Sequence, residues 1–187
     1  MLIELRFHGR GGMGVVTAAE LLVNAALREG FYGQSIPMFG PERRGAPVVV
    51  FARVSDRPIR LHSRVEHPNI VVVFDHRLAN FIDVTKGFKG DLFLINAPSL
   101  SELPKDLKAF RLASVDATEI AVKLKLVVAG WPVVNTAMLG ALAKASGLVS
   151  LNSVVSAIKE RWPGRIGELN AEAARRAYQE VLVEVAS

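Results

Sequence analysis

Glycines at positions 9, 11 and 14 give the segment His8-Gly9-Arg10-Gly11-Gly12-Met13-Gly14 the spacing G-x-G-x-x-G. A strand pattern precedes it and a helical pattern follows, the setting in which such a loop lets an anion approach the backbone. Glycine leaves the amide N–H groups uncovered, and the start of the next helix adds the positive end of its dipole. The chemistry on offer is phosphate recognition, with Gly9, Arg10, Gly11, Gly12 and Gly14 as candidate contacts. Contact with a neighbouring chain, or a tight turn that serves only the fold, would use the same residues. A P-loop is excluded, because no Gly-Lys-Ser/Thr follows. NAD fits poorly: its fingerprint needs an acid about 20 residues on, where Gln34-Ser35 stands.

A second segment, Met38 to Pro47, brackets Glu42-Arg43-Arg44 with Gly40-Pro41 and Gly45-Ala46-Pro47. A stiff loop that presents Arg43 and Arg44 suits bidentate binding of phosphate or carboxylate. The other reading is a surface turn whose arginines pair with local acids. Six arginines (43, 44, 53, 57, 60 and 64) fall between Arg43 and Arg64, with Asp56 the one acid among them. That cluster is either a solvated basic face or a meeting place for an anion or an acidic partner.

The remaining polar candidates read as structural. His8 is expected to be a hydrogen-bonded histidine at a strand end, with general-base work as the alternative. Asp75-His76 follows an apolar run at an edge where α/β ligands bind, yet no nucleophile stands nearby in sequence. Asn96 and Asn135 fall at a strand end and a helix start. Trp131-Pro132 and Trp162-Pro163 read as packing at helix ends. No residue is assigned as catalytic and none as a metal ligand.

These residues need elements to position them. Residues 2–8 alternate, with Ile3, Leu5 and Phe7 on one face and Glu4, Arg6 and His8 on the other. A central dinucleotide-fold strand would be apolar on both faces. Val15 to Arg28 reads as a helix stopped by Gly30. Residues 33–38 and 47–55 read as strands, and Asp56-Arg57-Pro58 predicts a hairpin into Ile59-Arg60-Leu61. The runs Ile70–Phe74 and Leu92–Ile95 suit strands buried on both faces of a sheet with helices on either side. A short helix is expected over 77–84 and a strand over 110–115. Helices follow over 116–126, 135–146, 152–162 and 170–185, three of them with Asn at the expected N-cap. The sum is an α/β fold: a largely parallel or mixed sheet flanked by helices, a strand-rich N-terminal half with a hairpin, and a helix-rich C-terminal third.

At 187 residues and a formal charge of +5, the chain fits one domain over 1–187. Cysteine is absent, so thiolate catalysis, cysteine-ligated zinc and iron–sulfur ligation are excluded, in keeping with a cytoplasmic protein. No signal peptide or membrane-length apolar run is present, and no nucleic-acid motif accompanies the arginines.

The two loops taken together carry a resemblance. Residues 6–14, "RFHGRGGMG", followed by "VVTAAELL" and then "FGPERRGAPV", resemble the gamma subunit of 2-oxoacid:ferredoxin oxidoreductases, the pyruvate/ketoisovalerate family. The likeness continues through "LINAPSL", "NTAMLGAL" and "GELNAEAARRAY". It implies a subunit, inactive alone, of an enzyme that decarboxylates a 2-oxoacid with coenzyme A to acyl-CoA, carbon dioxide and reduced ferredoxin. Thiamine diphosphate and magnesium would lie on alpha and beta partners, and the iron–sulfur clusters on beta and a ferredoxin-like delta subunit. This chain would bind no cofactor alone and share the coenzyme A site through Gly9, Arg10, Gly11, Gly12, Gly14, Arg43 and Arg44. The family usually has Gln where Met13 stands, so a polar contact from that side chain is lost. Two alternatives remain: a free-standing NADP-binding oxidoreductase domain with Arg43 and Arg44 on the 2′-phosphate, and a purely structural partner subunit.

Overall fold

Strand β1 (Leu2–Arg10) leads through helix α1 (Val15–Arg28) to β2 (Tyr32–Pro37) and β3 (Pro47–Ser55). In this computed structural model, which describes residues 1–38, 45–90, 92–99, 103, 107 and 110–184, β3 runs antiparallel to both β1 and β2. The hairpin expected from 47–55 into 59–61 does not form, because residues 59–61 make no strand and the proline turn after Ser55 ends β3; the consecutive antiparallel neighbours in this half are β2 and β3.

The valine-rich runs become β4 (Ile70–Val73) and β5 (Leu92–Asn96), followed by β6 (Arg111–Val115), all parallel to β1. Every residue of β4 and β5 is buried. After helix α2 (Ala117–Lys123), a two-stranded ribbon pairs β7 (Val127–Val128) with β8 (Trp131–Pro132). Helices α3 (Asn135–Ser146), α4 (Leu151–Arg161) and α5 (Arg165–Glu180) precede β9 (Leu182–Glu184), which closes the far edge antiparallel to β6. The main sheet runs β2-β3-β1-β4-β5-β6-β9.

All five helices pack into one core on one face of the sheet. Nearly every residue of α3 is buried, and Gly140 lets α5 come so close that a Cβ there would collide with the Ala174 carbonyl. Among the described residues no α-helix covers the opposite face; a 3-10 turn at His76–Asn80 lies there, with Phe88, Phe93 and Phe110 packed edge to face or tilted at centroid distances of 4.5–5.3 Å. Asparagine also plays a different part from the one expected. Ser150 caps α4 by accepting the Ser153 N–H, Asn152 sits inside that helix, and Asn170 lies within α5, where it accepts from the Thr136 hydroxyl at 3.0 Å. Asn135 is the first residue of α3, and its cap position is Val134.

The alternating strand β1 is central, and its polar face is buried. Arg6 donates to the carbonyls of Lys86 at 2.7 Å and Val84 at 2.8 Å, which ties down the irregular layer. His8 is 5% exposed, and neither ring nitrogen has a hydrogen-bond partner, contrary to the hydrogen-bonded strand end expected. Burial, followed by the nearby Arg6 charge, pushes its pKa down to about 3. An unfolded histidine titrates near 6.5. Between those values the unfolded chain takes up a proton that the folded chain refuses, so this group lowers stability as pH falls, by about 1.4 kcal/mol per pH unit. Above the unfolded value it contributes nothing. Replacing His8 with Leu should therefore reduce the stability lost between pH 7 and pH 5 by about 2 kcal/mol, measured by urea unfolding at both pH values. Equal losses in the two proteins would refute the assignment.

The ribbon turn gives a second test. Ala129 and Gly130 both hold positive φ, 49° and 81°, the conformation of a type I′ turn that favours Asn-Gly. An Ala129→Asn change should raise stability by about 1 kcal/mol, read as a higher unfolding midpoint.

Candidate functional site

In an open α/β sheet, ligands gather where the chain order diverges, at the carboxyl ends of the parallel strands. Here that place lies between β1 and β4. From β1 the chain turns through α1 toward β2 and β3, while β4 begins the series that runs the other way. The Phe74 N–H donates to the His8 carbonyl at 2.8 Å, holding the two strand ends side by side.

Asp75 is the charged centre of this edge. It is 3% exposed and takes Arg10 Nε at 2.8 Å on one oxygen and Arg77 Nε at 2.8 Å on the other. It also accepts the Arg77 backbone N–H at 3.1 Å, which caps the 3-10 turn. Burial pushes its pKa up, but the hydrogen bonds from Arg77 and Arg10 outweigh that and hold the carboxyl below its ordinary value. Arg10 reaches further, donating from Nη1 to the Gly45 carbonyl at 3.2 Å. The sequence offers Arg10 as a phosphate or partner contact; in the fold its guanidinium is engaged twice, by Asp75 and by the Gly45 carbonyl.

The two glycine-bracketed segments meet here. The Gly11 N–H donates to the Ala46 carbonyl at 2.9 Å, and the Gly45 N–H to the Gly11 carbonyl at 3.0 Å. Arg43 and Arg44 lie outside the described residues, but the chain that follows them docks directly on the glycine loop. A Cβ at Gly9 would strike Val15, and one at Gly14 would meet the Asn135 amide at 2.5 Å, with Gly14 also at φ 79°, so the fold requires glycine at both. Arg10, Gly11, Gly12 and Gly14 border a depression of about 150 Å³ together with Val16 and Thr17. No side chain caps α1, and its first turn holds no acid, so that turn's amide groups are open to an anion.

A cavity of about 290 Å³ opens beside the loop, lined by Met13, Asp75, Arg77, Asn96, Asp116 and Thr118 among others. Asn96 stitches it together, donating to the Phe74 carbonyl at 2.8 Å and the Thr118 hydroxyl at 2.9 Å. Met13 turns inward, 5% exposed, and forms part of the wall. Arg77, Asp116 and Thr118 escape sequence reasoning, because Arg77 follows β4 while Asp116 and Thr118 sit at the start of α2, about forty residues on. Asn135 is buried beneath Gly14, its Oδ1 accepting the Thr136 N–H at 2.8 Å.

No dinucleotide unit is built. After α1 the chain does not lie parallel beside β1; β3 occupies that place antiparallel. Gln34, where the ribose-binding acid would stand, instead accepts from Arg53 at 3.1 Å, level with Glu4 and well below the loop. Among the described residues no group of three His, Asp or Glu gathers to hold a metal ion, and no helix is long and apolar enough to cross a membrane.

Comparison with known proteins places this arrangement. Residues 4–180 match the pyruvate ferredoxin/flavodoxin oxidoreductase family. The pyruvate/ketoisovalerate oxidoreductases common subunit gamma of Thermococcus kodakarensis is 50% identical over 186 residues, covering 97% of this chain and 98% of that protein. The crystal structure of pyruvate oxidoreductase subunit PORC from Thermotoga maritima superposes with a TM-score of 0.83 at 33% identity, over 98% of both chains. The 2-oxoglutarate:ferredoxin oxidoreductase of Magnetococcus marinus, solved with 2-oxoglutarate, coenzyme A and succinyl-CoA, shares the fold with a TM-score of 0.73 at 18% identity. That match covers 95% of this chain and 31% of that one. The chain belongs to the pyruvate ferredoxin/flavodoxin oxidoreductase family, as one of its gamma-type subunits.

Proposed function

We propose that this gamma subunit supplies one wall of the coenzyme A site in the oxidative decarboxylation of pyruvate or a related 2-oxoacid to acyl-CoA, carbon dioxide and reduced ferredoxin. The observation that carries the reading is the docking of Gly45 and Ala46 on Gly11. It brings the end of the arginine loop to the uncapped start of α1. Coenzyme A carries a diphosphate and a 3′-phosphate, and amide groups at a helix start together with guanidinium groups suit both. Gly11, Gly12 and the first turn of α1 would meet one phosphate group, and Arg43 and Arg44 another. Gly9, Gly14 and Arg10 would act by holding the loop in shape.

Alpha, beta and delta subunits would hold thiamine diphosphate, magnesium and the iron–sulfur clusters. This chain has no cysteine to offer a cluster. Bound thiamine diphosphate would supply the electron sink for carbon–carbon cleavage. The part left to this chain is to bind and orient the thiol substrate at the subunit boundary, and alone it would bind coenzyme A weakly. The NADP reading loses support from the antiparallel strand that fills the place beside β1.

Two changes in the assembled enzyme test the site. A Thr17→Asp change puts a carboxylate in the first turn of α1, where it favours the helix by about 0.3–1 kcal/mol but repels a phosphate. Arg43→Ala with Arg44→Ala removes the guanidinium pair. Calorimetric titration should show coenzyme A affinity falling about tenfold or more in each, about 1.4 kcal/mol, with unfolding of the Thr17→Asp protein unchanged or later. Unchanged affinity in both would leave the chain a structural partner that touches no ligand.

A further inference from the structure

The segment 56–67, between β3 and β4, has no regular secondary structure, yet it is pinned along its length. The Arg57 N–H donates to Ser55 Oγ at 3.1 Å. Arg53, 1% exposed, donates to the carbonyls of Ser63 at 2.8 Å and Leu61 at 3.5 Å, and Gln34 donates to Leu61 at 3.0 Å. Val65 is buried. Beyond it, the Asn69 N–H donates to the Glu4 carbonyl at 2.7 Å. A fully buried guanidinium, neutralised by Glu4 at 2.8 Å, therefore fixes one conformation of a surface strap.

That conformation turns charge outward. Arg57, Arg60 and Arg64 are exposed, and none makes a side-chain hydrogen bond or ion pair among the described residues. Asp56, beside Arg57, is already held by the amine of Met1 at 2.7 Å. Leu61, 45% exposed, lies between Arg60 and Arg64 along the strap. The arginines stand three and four residues apart along the irregular strap, with Leu61 between the last two and exposed Glu66 beyond them. Arginines interleaved with an exposed apolar residue suit a protein interface matched to carboxylates. The strap flanks the start of β1, about 25 Å along the strand from the glycine loop at its end, so it is not part of the site described above.

We propose that this strap docks a carboxylate-rich face of another subunit of the same enzyme. The proposal rests on the reading that the chain works as a gamma subunit within the larger assembly. Two changes in the assembled enzyme test it. Arg60→Lys keeps the charge and introduces an amine that a carbodiimide can couple to a carboxylate in contact. Charge reversal by Arg57→Glu, Arg60→Glu and Arg64→Glu together should raise the dissociation constant of the chain from the assembly at least tenfold at low salt, an effect that shrinks as salt rises. The introduced amine should couple to an Asp or Glu of another subunit, and thermal unfolding of the reversed chain by itself should stay unchanged. If the chain assembles but the amine couples only to a second copy of the chain, only to an acidic acceptor protein or to nothing, the docking proposal fails and the subunit reading stands. An unchanged dissociation constant overturns it equally. If the chain never associates with the other subunits, both readings fail.

Discussion

One buried carboxylate governs the working edge of this protein. Asp75 is almost wholly withdrawn from water, so its charge is tolerable only while Arg10 and Arg77 remain on it. Losing Arg10 would leave the carboxylate to Arg77, which is itself largely exposed. Arg10 therefore cannot leave Asp75 cheaply, and through Gly45 it also fixes the chain that enters β3. The ends of β1 and β4 and the residues Gly45 and Ala46 are thereby tied to one another. A phosphate placed on the glycine loop would meet a surface already set in position.

The same use of arginine explains how the sheet is covered. With helices α1 to α5 on one face, the described chain on the other leaves carbonyl groups that its own backbone does not satisfy. Arg6 takes the carbonyls of Val84 and Lys86, Arg53 those of Leu61 and Ser63, and Arg111 that of Ala145 on the helical side. A guanidinium can serve several acceptors at once, which a lysine ammonium on a flexible stem does less well. His8 shows the limit of the device: hemmed in beside Arg6 with no acceptor or donor of its own, it stays neutral.

Much of the fold was legible in the residue pattern where short-range physics decides. Helix α1 ends by Gly30 and α3 spans Asn135–Ser146, as periodicity requires, and the valine runs became fully buried parallel strands. Where long-range partners decide, local signals misled. The turn after Ser55 is real, but residues 59–63 are held by Arg53 and not by a strand ladder. Asn152 and Asn170 look like caps, yet Ser150 outcompetes the first, and the second is drawn into the α3–α5 contact. At the site, the glycine loop announced itself. Asp75 could be placed at the ligand edge and Asn96 at a strand end, but not Arg77, Asp116 and Thr118, because only the parallel register of β4, β5 and β6 brings these distant residues together.

That register also bears on what kind of ligand the loop can serve. A dinucleotide lies across the loop toward the next parallel strand, whose acid meets the ribose. Here the backbone of Gly45 and Ala46 fills that direction, bonded to Gly11 on both its N–H and its carbonyl. A ligand anchored at the start of α1 would have the cavity toward Asn96 and Thr118 on one side and solvent or a neighbouring subunit on another. Both suit a long, flexible molecule held at its phosphates with its reactive end elsewhere. For coenzyme A bound in this way, the thiol would be presented to chemistry on another subunit, and the glycine loop would be an anchor and not a catalytic element.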